Sequence, residues 1–404
     1  LSHARTAMNG KDYIPQSLPE GSATYEKTGE EDRTKLVNNE VATLTSRDKI
    51  GTDFNYKHEI VWKNAIGFLI LHILASYGLF LLLTGTYRFY TLVWSYFVLM
   101  SAVEGVTIGA HRHFTHKSFK AKPLLRAILI ALQSMAGQNS IYTWCRDHRL
   151  HHRFSDTDGD PHNAKRGFFF SHIGWLMTKK HPLIKKLGKQ IDMSDLQADW
   201  MVMFQKKYYY PLYFILAVLI PVAVPVYFFR ETWKDSIFLC YFFRYVYQLN
   251  GTWLVNSAAH LYGTRPYDAN MQPVESWFVS FLSIGEGWHN YHHTFPWDYK
   301  AAELSTHFNF TARMIKFCEL IGLAYDLKSA SPELVEKRIF RTGDGTHYRL
   351  GNDEARSAVT AICFVHPLNP SYNTVKNSPD AVLNPEGLPL YHENDVLHSN
   401  LKDE

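Results

Sequence analysis

Cysteine is scarce in this chain, and its placement argues against two kinds of protein. The 404 residues contain four cysteines, Cys145, Cys240, Cys318 and Cys363, and no pair has CxxC spacing. Structural zinc sites usually close with four ligands and favour cysteine, so this placement argues against a site of that kind. Scattered, unpaired thiols also fit a reducing cytosolic setting rather than a disulfide-stapled secreted domain.

Excess charge of either sign is also lacking. The formal net charge is only +4, so the sequence shows no basic footprint for binding nucleic acid. No acid–base and nucleophile set accompanies the many histidines, which argues against a zinc hydrolase. The remaining features are polar ends, long apolar runs and clustered histidine.

The polar ends divide the chain into three parts. Residues 1–57 are rich in Gly, Ser, Thr and charge and predict a polar N-terminal tail. Residues 346–404 predict a polar C-terminal tail. The principal domain is therefore expected at 58–345.

Four apolar stretches occupy this domain, at residues 65–84, 90–110, 211–229 and 236–257. Each has about the twenty residues that a helix needs to cross a bilayer. The alternative is a set of buried core helices in a soluble protein, but four such lengths in one domain are unusual. We therefore predict an all-α membrane protein with four transmembrane helices.

The loops between these stretches predict the orientation. The first two stretches and the last two are joined by short links, whereas the segment from His111 to Tyr210 is long and rich in Lys and Arg. Because positive loops stay cytosolic, this segment and both termini are expected in the cytosol.

Histidine spacing is the most informative pattern. His148, His151 and His152 stand at i, i+3 and i+4, and His289, His292 and His293 repeat this spacing. On a helix these positions share one face, so each set can converge on a metal. The HRHFTH stretch adds His111 and His116, and His260 stands alone. Imidazole-rich sites with open positions suit redox iron, although the pattern by itself leaves copper and zinc open.

The chain resembles the membrane fatty-acyl-CoA desaturases, the stearoyl-CoA desaturase family of animals. Within that family it resembles the insect branch. The stretches that carry the resemblance lie between about Trp62 and Gly345. They are GAHRHFTH, RDHRLHHRFSDTDGDPHN, RGFFFSHIGW, NGTWLVNSAAHLYG and GEGWHNYHHTFPWDY.

This resemblance implies four transmembrane helices under a cytosolic helical cap that holds two irons. The implied ligands are His111, His116, His148, His151, His152, His260, His289, His292 and His293, with Asn256 acting through water. It also implies O2 as oxidant, and cytochrome b5 with its NADH-dependent reductase as electron donors. Asp147, Asp156, Asp160 and Glu286 are candidates to fix the imidazole tautomers, and solvated charge or helix capping is the alternative for each.

The resemblance also implies the residues that hold an acyl-CoA substrate. The bend of the acyl tunnel would be lined by Gln138, Trp144, Thr252 and Trp253, for which ordinary core packing is the alternative. The phosphate-bearing head group would meet Asn64, Asn139, Arg146, Asp147, Lys179 and Lys180. Lys179 and Lys180 also fit positive charge beside lipid headgroups.

Other residues fall outside these sets. His113, His162, His172 and His181 stay outside the ligand set, and His113 is expected to be a structural or surface residue. Glu104, a carboxyl inside a predicted span, has two interpretations. It either shapes the far end of the tunnel or is a neutral, hydrogen-bonded structural group.

The predicted activity is therefore insertion of a cis double bond, at Δ9 most commonly, into a saturated long-chain acyl-CoA. The predicted setting is the endoplasmic reticulum membrane and unsaturated fatty acid synthesis. Δ11 or another regiospecific desaturation that makes pheromone precursors, and hydroxylation on the same scaffold, are the close alternatives. A membrane protein that has lost catalysis and only binds acyl-CoA is a rival from another class. No predicted ligand is missing, which argues against it.

Overall fold

The computed structural model of the protein describes residues 50–303 and 309–352. The chain divides into two units, 1–51 and 52–404. Only Ile50 and Gly51 of the first unit are described, so most of both predicted tails lies outside the described residues. Everything below concerns the second unit.

The described part of this unit is mostly helical, which confirms the predicted helical class. In chain order the helices are α1 (Trp62–Leu83), α2 (Phe89–Glu104), α3 (Pro123–Ala136), α4 (Ile141–Phe154), α5 (Trp175–Met177), α6 (Pro182–Gly188), α7 (Ser194–Gln197), α8 (Trp200–Lys207), α9 (Tyr209–Tyr213), α10 (Ile220–Phe229), α11 (Trp233–Ile237), α12 (Arg244–Asn256), α13 (Ala258–Leu261), α14 (Trp277–Leu282), α15 (His289–Thr294), α16 (Phe310–Leu320) and α17 (Pro332–Thr342). A 3₁₀ turn spans Ala164–Arg166, and π-helical segments span Gly105–Thr115, Phe170–Gly174, Phe214–Leu219 and Phe238–Phe243.

Three helical segments are long and apolar enough to cross a membrane, by length and composition. They are Trp62–Leu83, Phe89–Thr115 and Tyr209–Phe229, and they coincide with the first three predicted spans. The fourth predicted span coincides with the helical run from α11 through α12, which does not reach the same apolarity among the described residues. The reason is polar side chains in its second half, such as the buried Arg244 and Gln248.

Two short turns, one between α1 and α2 and the other between α10 and α11, meet at one end of the helical bundle. The Glu231 carboxylate, after α10, accepts hydrogen bonds from the Arg88 backbone N–H (3.0 Å) and the Thr91 hydroxyl (2.9 Å) at the start of α2. The α1–α2 turn and the α10–α11 turn therefore lie together, away from the histidines.

The opposite end is built from the shorter elements. β1 (Lys120–Ala121) and β2 (Ala324–Tyr325) pair antiparallel. They cover a core in which Phe119, Leu129 and Ile315 are buried together. This core fixes α3 and α16 beside the π-helical segment that carries the first histidines.

Glycine allows α2 and α3 to approach closely. A Cβ at Gly105 would lie 2.3 Å from the Leu132 carbonyl carbon, so only glycine fits where the π-helical segment crosses α3. Gly137, at φ 69°, then ends α3 in the left-handed conformation, which glycine adopts without steric cost.

The folded region extends past both predicted boundaries of the principal domain. The Asp53 backbone N–H donates to Asp158 (2.8 Å), and the buried His347 bonds the Glu303 carboxylate at 2.6 Å. Residues on either side of the 57/58 and 345/346 limits thus belong to the same packed structure.

Candidate metal centre and adjoining cavities

Nine histidines form two groups whose nitrogen atoms could hold metal ions. The ligand atoms of each group lie within 4.8 Å of one another. The first group is His111, His116, His148, His152 and His292, and the second is His151, His260, His289 and His293. These are the nine histidines singled out in the sequence, brought together from four separate segments.

The local structure explains how each segment presents its rings. α4 and α15 place their histidines at i, i+3 and i+4 on one helical face. The π-helical geometry stacks residues five apart, and the His116 N–H donates to the His111 carbonyl (3.1 Å). His111 and His116 therefore point the same way.

The nitrogen contacts fit a metal better than they fit hydrogen bonding among the rings. The His148 Nε2 atom lies 3.1 Å from Nε2 of both His116 and His152, and the His292 Nε2 atom lies 2.9 Å from that of His111. A neutral imidazole has one N–H, so the His148 Nε2 atom can form a good hydrogen bond with only one of its two nitrogen neighbours. Buried His260 Nε2 has no hydrogen-bond partner among the described residues. A shared cation satisfies such nitrogens.

The protonation state also suits metal binding. Burial, with the neighbouring imidazoles adding to it, lowers the pKa of His148, His152 and His293 well below the usual value. Neutral imidazole is the form that ligates a metal.

In three of the nine histidines a carboxylate contacts Nδ1, the ring nitrogen that does not belong to the group of converging Nε2 atoms. The Nδ1 atoms of His111, His151 and His260 lie 2.9, 2.8 and 3.0 Å from carboxylate oxygens of Glu286, Asp160 and Asp156, respectively. Such contacts turn Nε2 toward the metal and fix the tautomer. Three of the four acidic candidates from the sequence take this place.

Asp156 and Asp160 stay ionised for this task. Burial alone would raise the pKa of each, but the hydrogen-bonded imidazoles of His260 and His151 hold the two pKa values below the usual range. Asp156 adopts a left-handed φ of 60°, and its carboxylate also accepts from the Ala164 N–H (3.1 Å). This strained loop after α4 is thereby locked against the second group.

Two cavities meet beside the histidines. One, of about 250 Å³, runs along α2 and α12 and includes Leu99, Met100 and Val103. The other, of about 410 Å³, reaches Asn139 and Asp147. Both are lined by Trp144, His148, Thr252 and Asn256. The two cavities therefore share part of their walls beside the first histidine group.

Comparisons with known proteins agree with this site. The fatty acid desaturase family model matches residues 89–306. The chain belongs to the fatty acid desaturase family. It is 52% identical to an acyl-CoA Delta-9 desaturase of Acheta domesticus over 72% of this chain and 81% of the relative. Identity is 48% with stearoyl-CoA desaturase of Homo sapiens (79% and 88% covered). Identity is 49% with an acyl-CoA Delta12-desaturase of Acheta domesticus (72% and 82% covered). The resemblance read from the sequence is confirmed.

The four predicted bend residues lie at the larger cavity, and two of them, Trp144 and Thr252, also line the smaller one. Gln138, Trp144, Thr252 and Trp253 all line the larger cavity. The Gln138 amide donates to the Thr252 hydroxyl at 2.8 Å, which ties the end of α3 to α12. Asn256, at the end of α12, lines both cavities and is not part of either histidine group.

The predicted head-group residues separate into two places. Asp147 accepts from Arg146 (2.7 Å) and Lys180 (2.6 Å) at the larger cavity, so this carboxylate organises cations instead of supporting a histidine. Lys179 instead pairs with exposed Glu59 at 2.5 Å. Asn64 donates to the Leu176 carbonyl (2.9 Å), and the Asn139 carbonyl accepts from Gln133 (2.8 Å).

Glu104 is not among the residues that line either cavity, which favours its structural interpretation over a place at the tunnel end. Its buried carboxyl accepts from the Thr107 hydroxyl (3.0 Å) and from Thr311 on α16 (3.2 Å). The structural interpretation of Glu104 is the one that fits.

The remaining histidines take structural contacts. His113 Nδ1 faces the Phe119 carbonyl (3.2 Å), and His172 bonds Ser257 (2.9 Å). His162 could form a third group with His151 and Asp160, but the Asp160 carboxylate is already bonded to His151 Nδ1. His181 caps α6.

One residue of the site was missed by sequence reasoning. Arg112 is 1% exposed and donates to Glu286 at 2.6 Å, opposite His111. It lowers the pKa of Glu286, which burial alone would raise. The signal in the sequence was an arginine directly after His111, at the end of an apolar stretch.

Proposed function

We propose that this chain is an acyl-CoA desaturase that inserts a cis double bond at Δ9 of a saturated long-chain acyl-CoA. The observation that carries the proposal is that two cavities share Trp144, His148, Thr252 and Asn256 as walls. We take the two cavities as the arms of a bent acyl tunnel whose corner lies at these shared residues. A flexible alkyl chain threaded through it has one short stretch of carbons beside the metal-binding nitrogens. That geometry selects a bond by position.

The nine histidines are proposed to hold two irons, one in each group. Iron bound there would supply the oxidising power, drawn from O2 and two electrons, that removal of hydrogen from an unactivated methylene requires. Cytochrome b5 and its NADH-dependent reductase are the proposed electron donors. Imidazole-rich sites that leave positions open suit this use of iron.

The protein's own residues position the substrate. Arg146 and Lys180, organised by Asp147, offer charge-assisted hydrogen bonds to the phosphates of coenzyme A. Trp144 forms a wall common to both cavities, and Gln138 and Thr252 fix the corner through their mutual bond. Apolar walls along α2 exclude water from the deeper part.

The proposed topology has four membrane crossings, with both termini in the cytosol. His151 and His260 belong to the same group, so the chain between them must return to the side from which it left. If Tyr209–Phe229 crosses the membrane, the run from Trp233 to Asn256 must cross back. Contact between the two short turns supports this arrangement. The endoplasmic reticulum is the proposed membrane.

A different bond position is the second candidate. One relative is named for Δ9 and another, from the same species, for Δ12, at 52% and 49% identity. Identity of this kind does not separate positions, and Δ11 or hydroxylation on the same scaffold would use the same ligands.

Expression in desaturase-deficient yeast tests the proposal. We expect growth without added unsaturated fatty acid, and mass spectrometry should locate the new double bond at Δ9. Double bonds elsewhere would favour the second candidate. An iron-loaded protein that yields neither double bonds nor hydroxylated chains would contradict both.

A further inference from the structure

Trp253, a wall of the larger cavity, has two imidazoles packed against it. The His72 ring, on α1, stacks on the indole with centroids 6.2 Å apart, and the His172 ring meets it edge-on at 5.7 Å. Neither histidine is among the residues that line the larger cavity, so both support Trp253 from the protein side. Trp253 is 3% exposed, and its orientation is therefore fixed by the groups that pack behind it.

Asn250 connects these two imidazoles. Its Oδ1 atom lies 3.1 Å from Nε2 of His172, and its Nδ2 atom lies 3.3 Å from Nε2 of His72. The same amide nitrogen donates to the Val246 carbonyl at 2.8 Å. One side chain of α12 therefore joins that helix to α1 and to the π-helical segment Phe170–Gly174.

The neighbouring contacts fix the direction of each hydrogen bond. The Val246 carbonyl can only accept, so the Asn250 nitrogen faces it and Oδ1 is left for the His172 N–H. Nδ1 of His72 lies 2.7 Å from the Phe68 carbonyl, which makes Nδ1 the donor and leaves Nε2 of the neutral ring to accept from Asn250. Each imidazole is thus held at one nitrogen by Asn250 and at the other by a second partner. A ring held at both nitrogens keeps its orientation.

We propose that Asn250 is a positioning residue that sets which carbon–carbon bond of the acyl chain lies beside the metal-binding histidines. This inference rests on the proposed function, because it takes the two cavities to be the acyl tunnel. Asn250 acts through Trp253. It holds His72 and His172 in place, and their rings hold the indole at the bend.

The physical reason is that an apolar wall selects a position only as sharply as the wall itself is fixed. An alkyl chain offers no polar group near the bend, so its register depends on the shape of the cavity alone. Protein interiors are close-packed, and a change of one methylene is felt. If the Trp253 ring can tilt, chains shifted by one or two carbons fit nearly as well, and the double bond is spread over neighbouring positions.

The isomer composition of the product tests this role. Asn250→Leu removes both bonds to the imidazoles and keeps a side chain of similar size. We expect the ratio of the main double-bond isomer to its neighbours to fall about tenfold, since a hydrophobic pocket discriminates one methylene by about that much or more. His172→Leu should lower the ratio as well. The double variant should add little to either change, because both break the same chain of contacts.

Ser236→Ala is the matched control for the loss of a buried hydrogen bond. The Ser236 hydroxyl is fully buried and donates to the Val222 carbonyl at 2.6 Å, but Ser236 is not among the residues that line either cavity. This variant should lower protein yield and leave the isomer ratio unchanged. A wild-type ratio in Asn250→Leu, or an equal fall in Ser236→Ala, would overturn the inference. If Asn250→Leu does not fold, the ratio in His172→Leu decides it.

Binding of brominated acyl-CoA separates this inference from the proposed function. Bromine quenches indole fluorescence at short range, so stearoyl-CoA brominated at successive carbons reports which carbon lies beside Trp253, and Trp253→Phe identifies the signal of this residue. Quenching should peak at one carbon in the wild type and spread over neighbouring carbons in Asn250→Leu. Equal profiles would overturn the role of Asn250 whether or not double bonds form. A sharp profile that spreads in the variant, with no double bonds formed in any chain, would contradict the proposed function alone.

Discussion

At the scale of single residues, the two ring nitrogens of a histidine have different tasks. In His111, His151 and His260 a carboxylate takes Nδ1, and Nε2 is left for the metal. His113 differs because its Nδ1 faces a backbone carbonyl at Phe119. Membership of the site is therefore a matter of direction as well as proximity.

This difference predicts the effects of removing single histidines. His152→Ala and His292→Ala should each lower bound iron and reduce desaturation by more than roughly a hundredfold, since loss of a supporting group alone costs up to that much. His113→Ala should retain most activity. Iron content by mass spectrometry and product yield are the measurements. A zinc-only protein, or full activity in either ligand variant, would contradict the di-iron assignment.

Glu104 illustrates a buried carboxyl with a structural task. Because its partners are Thr107 and Thr311, Glu104→Leu should lower protein yield and leave product chain lengths unchanged. Glu104→Gln can accept from one hydroxyl through its amide oxygen and donate to the other through its amide nitrogen, so it should restore much of the yield. Gas chromatography of the products is the check, and a changed chain-length profile would return Glu104 to the tunnel.

The cations that pair with Asp147, a wall of the larger cavity, are expected to act through substrate binding. Arg146→Ala and Lys180→Ala should each raise KM for acyl-CoA about tenfold with little change in kcat, since a hydrogen bond to a charged group contributes about 1.5–3 kcal/mol. The effect should weaken at higher salt.

Lys179→Ala is the comparison for these two variants. This lysine is exposed and paired with Glu59. The KM of the variant for acyl-CoA should therefore stay within about twofold of the wild-type value, as expected for a surface pair. Steady-state kinetics at two ionic strengths measures all three variants. A fall in kcat that does not depend on salt would argue against a head-group role.

At the scale of helices, the direction of the histidines could be predicted from the i, i+3, i+4 spacing. It could not be predicted for His111 and His116. The i, i+3, i+4 sets lie on α-helices, as the spacing predicts. His111 and His116 would point about 140° apart on an α-helix, and only the π-helical segment aligns them. No residue pattern in that stretch predicts a π-helix, because the π-helical geometry depends on packing of the segment against α3.

The glycine contact between α2 and α3 gives a prediction for these elements. Gly105→Ala would force a methyl group against the Leu132 backbone, and overpacking of this kind costs about 1–3 kcal/mol. We expect Tm to fall by roughly 5 °C and bound iron to fall with it. Gly67→Ala, on α1 with nothing within 4 Å of the added carbon, is the matched control and should leave both unchanged. Thermal unfolding in detergent gives the comparison, and equal behaviour of the two variants would refute the close-packing argument.

At the scale of the whole molecule, the number of crossings decides where the termini lie. Four crossings place both termini on the side of the histidines, whereas three place them on opposite sides. Tags at each end, probed by protease in sealed microsomes, should both be digested from the cytosolic face. Protection of one tag only would mean that the run from Trp233 to Asn256 does not cross the membrane.

The sequence by itself determined the helical class, the first three spans, the nine histidines and the family, because apolar length and local spacing are properties of contiguous residues. It did not determine which carboxylate serves which histidine, the role of Arg112, or the place of Glu104. Those depend on contacts between segments far apart in the chain, such as Asp156 with His260 and Arg112 with Glu286. Only the tertiary structure decided them, because a side chain's partner is chosen by how the helices pack.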